Sequence, residues 1–337
     1  MKILICGGFS QDSQVLLNIL NNENYDIDLI AKRSSNNIPK SISNLINKKK
    51  INLIYLDLID TFELAKIVEN GLYTHIFNFA SNSFVQNSNS DIHNCIQENN
   101  TITYNILNAI KNASNNPWLM HPLSSEIFGN PSEVPQNENT VVNPINAYGI
   151  SKVSDMFLCD LYEKNFGLKI FRPILYNHES IFRARQFFST KIFKFAIQLK
   201  QSNFDVKNPM EFYNATSRRD WGYAEEYCSI FFEAAKKNTT GKYVLGTGKS
   251  ISVEDFIDTV LNCFEIKFKK NINSNGLLEF YNQDNKIIAV EISRDPIDEE
   301  RKLVADNRLI KDTFNIKEFT LGIEVINKLH NDYQKNV

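Results

Sequence analysis

Short apolar runs alternate with longer amphipathic stretches through the first half of the chain. Residues 3–6 are apolar, Gly7 and Gly8 interrupt them, and Val15, Leu16, Leu17, Ile19 and Leu20 then recur as one helical face. That unit predicts a strand, a tight turn and a helix. Further strands are predicted at 27–31, 53–56, 76–79, 118–120 and 168–171, each separated by enough residues for a crossover helix. Strands in this rhythm form a parallel, doubly wound sheet of the α/β class.

After Pro173 the rhythm breaks. An aromatic-rich stretch at 182–195 precedes a helix near 224–236, a short strand at 242–245 and a helix opened by Ser252. The Ser252 hydroxyl can cap that last helix, with Asp255 three residues on in an acidic variant of the capping box. The remainder, including the run at 277–292, predicts a smaller mixed α/β lobe laid against the sheet. The polar segment 34–50 reads as a mobile loop, and there is no internal repeat.

Composition narrows the class. At 337 residues and 42% hydrophobic content the chain can bury a full core. A net charge of -2 offers no footprint for nucleic acid or an anionic membrane, so the expected partner is a small molecule. Five cysteines, Cys6, Cys95, Cys159, Cys228 and Cys263, form no CxxC pair and suit buried thiols in a reducing compartment. The first apolar run is too short for a signal segment or a membrane span, which makes the cytoplasm the expected location. Five scattered histidines without HxH or HxxxH spacing predict no metal.

Candidate chemistry begins at the first turn. A glycine-rich turn between strand and helix lets backbone amides approach a pyrophosphate. Here the turn reads Gly7-Gly8-Phe9-Ser10-Gln11-Asp12-Ser13, so a GxxGxxG spacing finds serines at positions 10 and 13. Lys32, Arg33 and Ser34 follow the second strand, where basic residues accommodate a 2′-phosphate; this favours NADP over NAD. Asp57 and Leu58, after the third strand, are placed for adenine.

Tyr148 and Lys152 stand four apart at the start of a predicted helix, on one face of it. A lysine cation beside a phenol is expected to lower the tyrosine pKa, so that it can take a proton from a hydroxyl as hydride leaves. Ser124 and Glu126 lie just beyond the strand at 118–120, at the sheet end where open parallel sheets bind ligands. Ser124 can hydrogen-bond the hydroxyl that Tyr148 deprotonates. Glu126 is a carboxylate able to take a proton from carbon beside a ketone.

These residues resemble the extended short-chain dehydrogenase/reductases, and among them the GDP-mannose 4,6-dehydratases. The motifs occur in order: Gln11-Asp12; Lys32-Arg33-Ser34-Ser35; Asn78-Phe79-Ala80-Ser81; SSEIFG from Ser124; PINAYGISK ending at Lys152; NHES from Asn177; and RRDWGYA from Arg218. The resemblance implies a Rossmann-type fold, with residues 1–173 as the NADP-binding domain. Residues 174–337 would be mainly a nucleotide-sugar lobe, some of whose segments return to the sheet. It implies cofactor contacts from Gly7, Ser10, Gln11, Asp12, Arg33, Ser34, Asp57, Leu58, Phe79, Ala80, Ser81, Tyr148 and Lys152. Substrate contacts would come from Ser83, Ser124, Ser125, Asn177, Glu179, Lys191 and Arg219.

The implied cycle oxidises C4 of a GDP-linked hexose or heptose, with Tyr148 taking the hydroxyl proton and NADP the hydride. Glu126 helps remove the C5 proton, water leaves from C6, and hydride returns there. Relatives form dimers or tetramers, which implies a homo-oligomer. The sequence departs from the pattern at Ser10 and Ser13, at Leu123, which stands in a serine position, and at Ile181-Phe182, which replace Pro-Arg. Arg294 and Arg301 are both candidates for the C-terminal arginine. A 4-epimerase or C4 oxidoreductase would need Tyr148, Lys152 and Ser124 but no carboxylate, and a binding paralogue would need no turnover at all.

Overall fold

The computed structural model describes residues 1–21, 25–34, 37–48, 50–83, 91–202, 208–293 and 301–336; Ser35 and Arg294 lie outside them. The first half runs β1 (Lys2–Cys6), α1 (Gln11–Leu20), β2 (Asp26–Ala31), α2 (Lys40–Asn47), β3 (Asn52–Tyr55), α3 (Thr61–Gly71) and β4 (His75–Asn78). It continues with α4 (Ile92–Asn112), β5 (Trp118–Met120), β6 (Leu123–Ser124), α5 (Ala147–Phe166) and β7 (Ile170–Leu175). The second half adds β8 (Asn177–Glu179), α6 (Phe188–Gln201), β9 (Met210–Tyr213), β10 (Arg218–Arg219), β11 (Trp221–Tyr223), α7 (Ala224–Lys237) and β12 (Gly241–Leu245). It ends with β13 (Ile251–Ser252), α8 (Val253–Cys263), β14 (Lys269–Ile272), β15 (Leu278–Tyr281), β16 (Ile287–Ser293), α9 (Arg308–Phe314) and α10 (Gly322–Asn336).

The main sheet has the order β12-β7-β5-β4-β1-β2-β3, with β6 also pairing β7, and its pairs are parallel. It is a Rossmann-type sheet covered on both faces. Leu16, Leu17 and Phe231 of α1 and α7 pack on one face, and Leu64, Ile106 and Cys159 of α3, α4 and α5 on the other. Burial on both sides is why its strands read as continuous apolar runs. The order reverses between β1 and β4, which opens a crevice at their carboxyl ends.

Two local readings change. The strand expected at 168–171 runs instead through Ile170–Leu175, with Arg172 and Pro173 inside it. Arg172 is tolerated there because Asp160 and Glu163 of α5 pair with its guanidinium. Within the segment expected to be a loop, Lys40–Asn47 forms α2, held by the buried side chains of Ile42 and Leu45.

Beyond Pro173, β12 returns to the main sheet beside β7, while β14, β15, β16 and β9 form a second sheet. Phe212, Phe280 and Ile288 of that sheet pack with Phe193, Phe256 and Val325 from α6, α8 and α10. Ser252 and Asp255 make the expected reciprocal capping box at the start of α8. Asp220 accepts bonds from the Thr247, Gly248 and Ala305 amides and from the Thr247 hydroxyl, which ties the segment before β11 to the C-terminal chain. Among the described residues no helix is long and apolar enough to cross a membrane.

Gly7 has φ +78°, and a Cβ there would lie 2.5 Å from the Ala80 nitrogen and 2.6 Å from the Phe79 carbonyl carbon. Those neighbours are backbone and cannot rotate away. Gly7→Ala should therefore lower the unfolding free energy by about 2–4 kcal/mol, measured by chemical denaturation.

Candidate active site

A cleft of about 880 Å³ opens at the switch point, between the sheet and the smaller lobe. At its floor, Ser10 caps α1 by accepting the Ser13 amide at 3.2 Å. Ser13 turns inward, fully buried, and its hydroxyl donates to the Gly7 carbonyl at 3.0 Å. The two serines at glycine positions thus brace the turn from within.

Gln11 and Asp12 reach across to the strand after β7. The Gln11 carbonyl oxygen accepts the Ser180 amide at 3.0 Å, and its amide donates to the His178 carbonyl at 3.0 Å. His178 donates Nδ1–H to the Tyr176 carbonyl at 2.9 Å and Nε2–H to the Asp12 carboxylate at 3.0 Å. Two donating nitrogens describe an imidazolium. Burial opposes that charge, but Asp12 outweighs it and raises the His178 pKa. Burial likewise opposes the Asp12 anion, and His178 with Arg183 brings its pKa below the ordinary value.

The catalytic candidates converge where β6 meets the start of α5. Asn146 caps α5, accepting the Gly149 amide at 2.8 Å, and its own amide donates to Glu126 Oε2 at 2.7 Å. A Cβ on Gly149 would lie 2.5 Å from the Glu126 carbonyl oxygen, so helix and turn touch backbone to backbone. Arg301 clamps the carboxylate, Nη1 to Oε2 at 2.8 Å and Nη2 to Oε1 at 3.1 Å. Burial would raise the Glu126 pKa, yet Arg301, Asn146 and Arg219 together lower it.

Lys152 is buried and donates to the Pro122 carbonyl at 3.1 Å and to Asp155 Oδ2 at 3.2 Å, with Nζ 5.9 Å from the Tyr148 ring centre. Burial works against its charge, but Asp155 and Tyr148 raise its pKa. The expected acidification of Tyr148 is reversed. Burial raises the phenol pKa; Lys152 and a hydrogen bond with Ser124 lower it, and Asp155 and Glu126 raise it again. The net effect keeps Tyr148 protonated at neutral pH.

A sequence model of the GDP-mannose 4,6 dehydratase family matches residues 4–327. The chain belongs to that family. A GDP-mannose 4,6 dehydratase of Drosophila melanogaster is 28% identical over 76% of this chain and 66% of its own length, just under two thirds. A GDP-mannose 4,6-dehydratase of Sinorhizobium fredii (strain HH103) is 29% identical over 76% of this chain and 74% of its own. Among solved structures, a dTDP-glucose 4,6-dehydratase from Bacillus anthracis in complex with NAD shares the fold. It has a TM-score of 0.81 at 14% identity, covering 100% of this chain and 97% of the other. A UDP-glucuronic acid 4-epimerase from Bacillus cereus, in complex with UDP-glucuronic acid and NAD, gives 0.78 at 17% identity over 100% of both chains.

The family's motif positions are distributed unevenly around the cleft. Ser10, Gln11 and Asp12 line its floor with Phe79, Ser81 and Ser83, although the Gln11 and Asp12 side chains are engaged by the His178–Ser180 segment. Ser124, Ser125, Glu126, Tyr148 and Lys152 line it from β6, the turn after it and the start of α5. Asn177, Glu179, Lys191 and Arg219 also line it, and the pairing of β8 with β11 sets Asn177 beside Trp221. The Glu179 carboxylate is bonded by Ser189 and lies 3.6 Å from Arg183. Ala80 meets Gly7 backbone to backbone. Arg33, Ser34, Asp57 and Leu58 stand outside the cleft lining. Lys32 is matched by Asp57 at 3.3 Å and Glu98 at 3.0 Å, and the Leu58 carbonyl accepts the Asn105 amide.

Sequence reasoning did not identify Asn146, His121 or Asp155, and left Arg301 as one of two candidates. An asparagine just before a helix start is a cap signal, and Lys152 with Asp155 at i,i+3 is a legible helical ion pair. His121 and the contact of Arg301 with Glu126 had no local signal, since 175 positions separate the latter pair.

The His178–Asp12 pair carries a pH signature. A histidine with a raised folded-state pKa stabilises fully below its unfolded value and loses that contribution as pH rises through the folded value. His178→Gln should therefore cost more stability at about pH 6 than at alkaline pH, measured by denaturant unfolding at both.

Proposed function

We propose that this protein is a nucleotide-sugar 4,6-dehydratase acting in the cytoplasm on a GDP-linked hexose or heptose, with NADP as its cofactor. The observation that carries the reading is the meeting of Ser124, Glu126, Tyr148 and Lys152 in one cleft with Asn177, Lys191 and Arg219. Family membership and the named relatives support the same chemistry. The start of α1 suits the phosphates of a dinucleotide: Ser10, Gln11 and Asp12 at its capped N-terminus line the cleft. Lys32 is already neutralised, so the exposed Arg33, with Ser34, would hold the 2′-phosphate. Nicotinamide, when bound, supplies a hydride acceptor for C4 and the donor for C6.

The chain's own groups would move the protons. Tyr148, hydrogen-bonded to Ser124, would take the C4 hydroxyl proton in its phenolate form, which burial disfavours and the Lys152 ammonium favours, and would return that proton to C5 once C6 is reduced. The resulting ketone acidifies C5–H. Glu126 is ionised, and its lone pairs are unequally used among the described residues: Oε2 accepts from both Arg301 and Asn146, and Oε1 from Arg301. Oε1 is therefore the atom to take the C5 proton and deliver it to the departing C6 hydroxyl as water. Lys191 and Arg219 suit the diphosphate as cationic donors.

The Arg301 clamp also favours a second reading. A carboxylate held in an ion pair is a weaker base, and a 4-epimerase or C4 oxidoreductase needs none. Incubation with GDP-mannose and NADP separates the two: the dehydratase gives a product one water lighter by mass spectrometry, the epimerase a product of unchanged mass. Glu126→Gln should slow formation of the lighter product about 10²–10⁴-fold while retaining C4 oxidation, seen as reduced-cofactor absorbance; retained dehydration would remove Glu126 from the mechanism.

We also propose a homo-oligomer assembled through α4 and α5. These helices pack together, and Tyr104, Ile150, Phe157 and Leu161 remain exposed on them. Phe157→Glu should lower the native mass measured by light scattering, and an unchanged mass would place any interface elsewhere.

A further inference from the structure

Behind Lys152 lies a buried polar chain that the proposed chemistry does not use. The Asn78 side-chain oxygen, at the end of β4, accepts the Ala80 amide at 3.0 Å. Its amide therefore faces His121 and donates to Nδ1 at 3.2 Å. That bond fixes the tautomer: Nδ1 accepts, and Nε2–H donates to Asp155 Oδ2 at 3.4 Å. The same Oδ2 takes the Lys152 ammonium at 3.2 Å. Asn78, His121, Lys152 and Asp155 are each no more than 3% exposed. A continuous hydrogen-bonded line thus joins the loop that backs Gly7 to the lysine beside Tyr148.

We propose that Asp155 is a positioning residue of this site: it anchors Lys152 Nζ from beneath and, as its buried counter-ion, sets how much of the lysine's charge reaches Tyr148. The inference rests on reading Tyr148 and Lys152 as the proton-transferring pair. Lysine has three N–H donors. Pro122 and Asp155 hold two of them on the side away from solvent, which leaves the third for the cleft.

The titratable and polar groups around this line come from several neighbouring elements. Tyr148, Lys152, Asp155 and Cys159 lie on α5, Cys95 and Thr103 on α4, His121 after β5 and Arg172 on β7. Glu126, with Arg301 across it, faces Tyr148 from the other side. Burial drives the His121 pKa down, so the imidazole is neutral. Burial opposes the Asp155 anion, but Lys152 and His121 hold its pKa below the ordinary value. Two carboxylates thus act on the phenol, and Asp155 is the one that takes no part in the proposed proton transfers. Removing its charge makes Tyr148 a stronger acid.

The test is a spectroscopic titration of Tyr148. Tyrosinate absorbance is followed against pH in the full-length protein and in Asp155→Asn, each corrected by the same protein carrying Tyr148→Phe. The expected result is a Tyr148 signal moved to lower pH by about half a unit to one unit in Asp155→Asn. An unmoved signal overturns the proposal and leaves Asp155 a purely structural residue. Should Asp155→Asn fold poorly, thermal melting of Lys152→Met and of Lys152→Met/Asp155→Asn decides the pairing. A double variant that melts above the single one shows that Asp155 was left as an unpaired charge; one that melts no higher overturns the proposal. Neither measurement needs substrate, so both decide this point even if Tyr148→Phe retains turnover and the functional reading falls.

Discussion

The smaller lobe's side of the cleft is placed relative to one join: Gln11 and Asp12, in the first turn of α1, hold the segment His178–Ser180. That segment belongs to β8, which pairs β11 and so fixes the height of Trp221 and of Arg219 beside it. Asp220 in turn gathers Thr247, Gly248 and Ala305, and the chain approaching Ala305 carries Arg301 to Glu126. The smaller lobe is therefore referenced to the first turn through polar bonds between buried groups. Such bonds are costly to leave unmade, which gives the arrangement a single registered state.

The sheet was legible because it obeys local rules. Alternating apolar runs identified the strands of the first half, and the Ser252–Asp255 capping box needed only a spacing of three. Legibility failed where tertiary partners override local character. The polar look of 34–50 concealed α2, which needs only Ile42 and Leu45 to anchor it. Arg172 and Pro173 hid β7 beyond Phe171, since the two carboxylates that allow Arg172 to be buried lie on the preceding helix.

At the candidate site, residue types were readable and their couplings were not. Tyr148, Lys152, Ser124 and Glu126 follow from spacing and resemblance. Their electrostatics depend on depth: the same lysine that acidifies an exposed phenol is here outweighed by burial and by two carboxylates. Ser10 and Ser13 looked like damage to a glycine turn. In three dimensions one is a helix cap and the other an internal brace, roles that a serine hydroxyl fills and a glycine cannot.

Asn146 has the widest reach for its size. Its carbonyl oxygen starts α5 and its amide grips Glu126, so secondary structure and reactivity share one side chain. A change that retuned the carboxylate by altering this amide would also loosen the helix that carries Tyr148 and Lys152. New chemistry at this centre is thus easier to reach from the Arg301 side, where the carboxylate can be released without undoing its scaffold. Divergence, or redesign, has one open door here and one that is structurally locked.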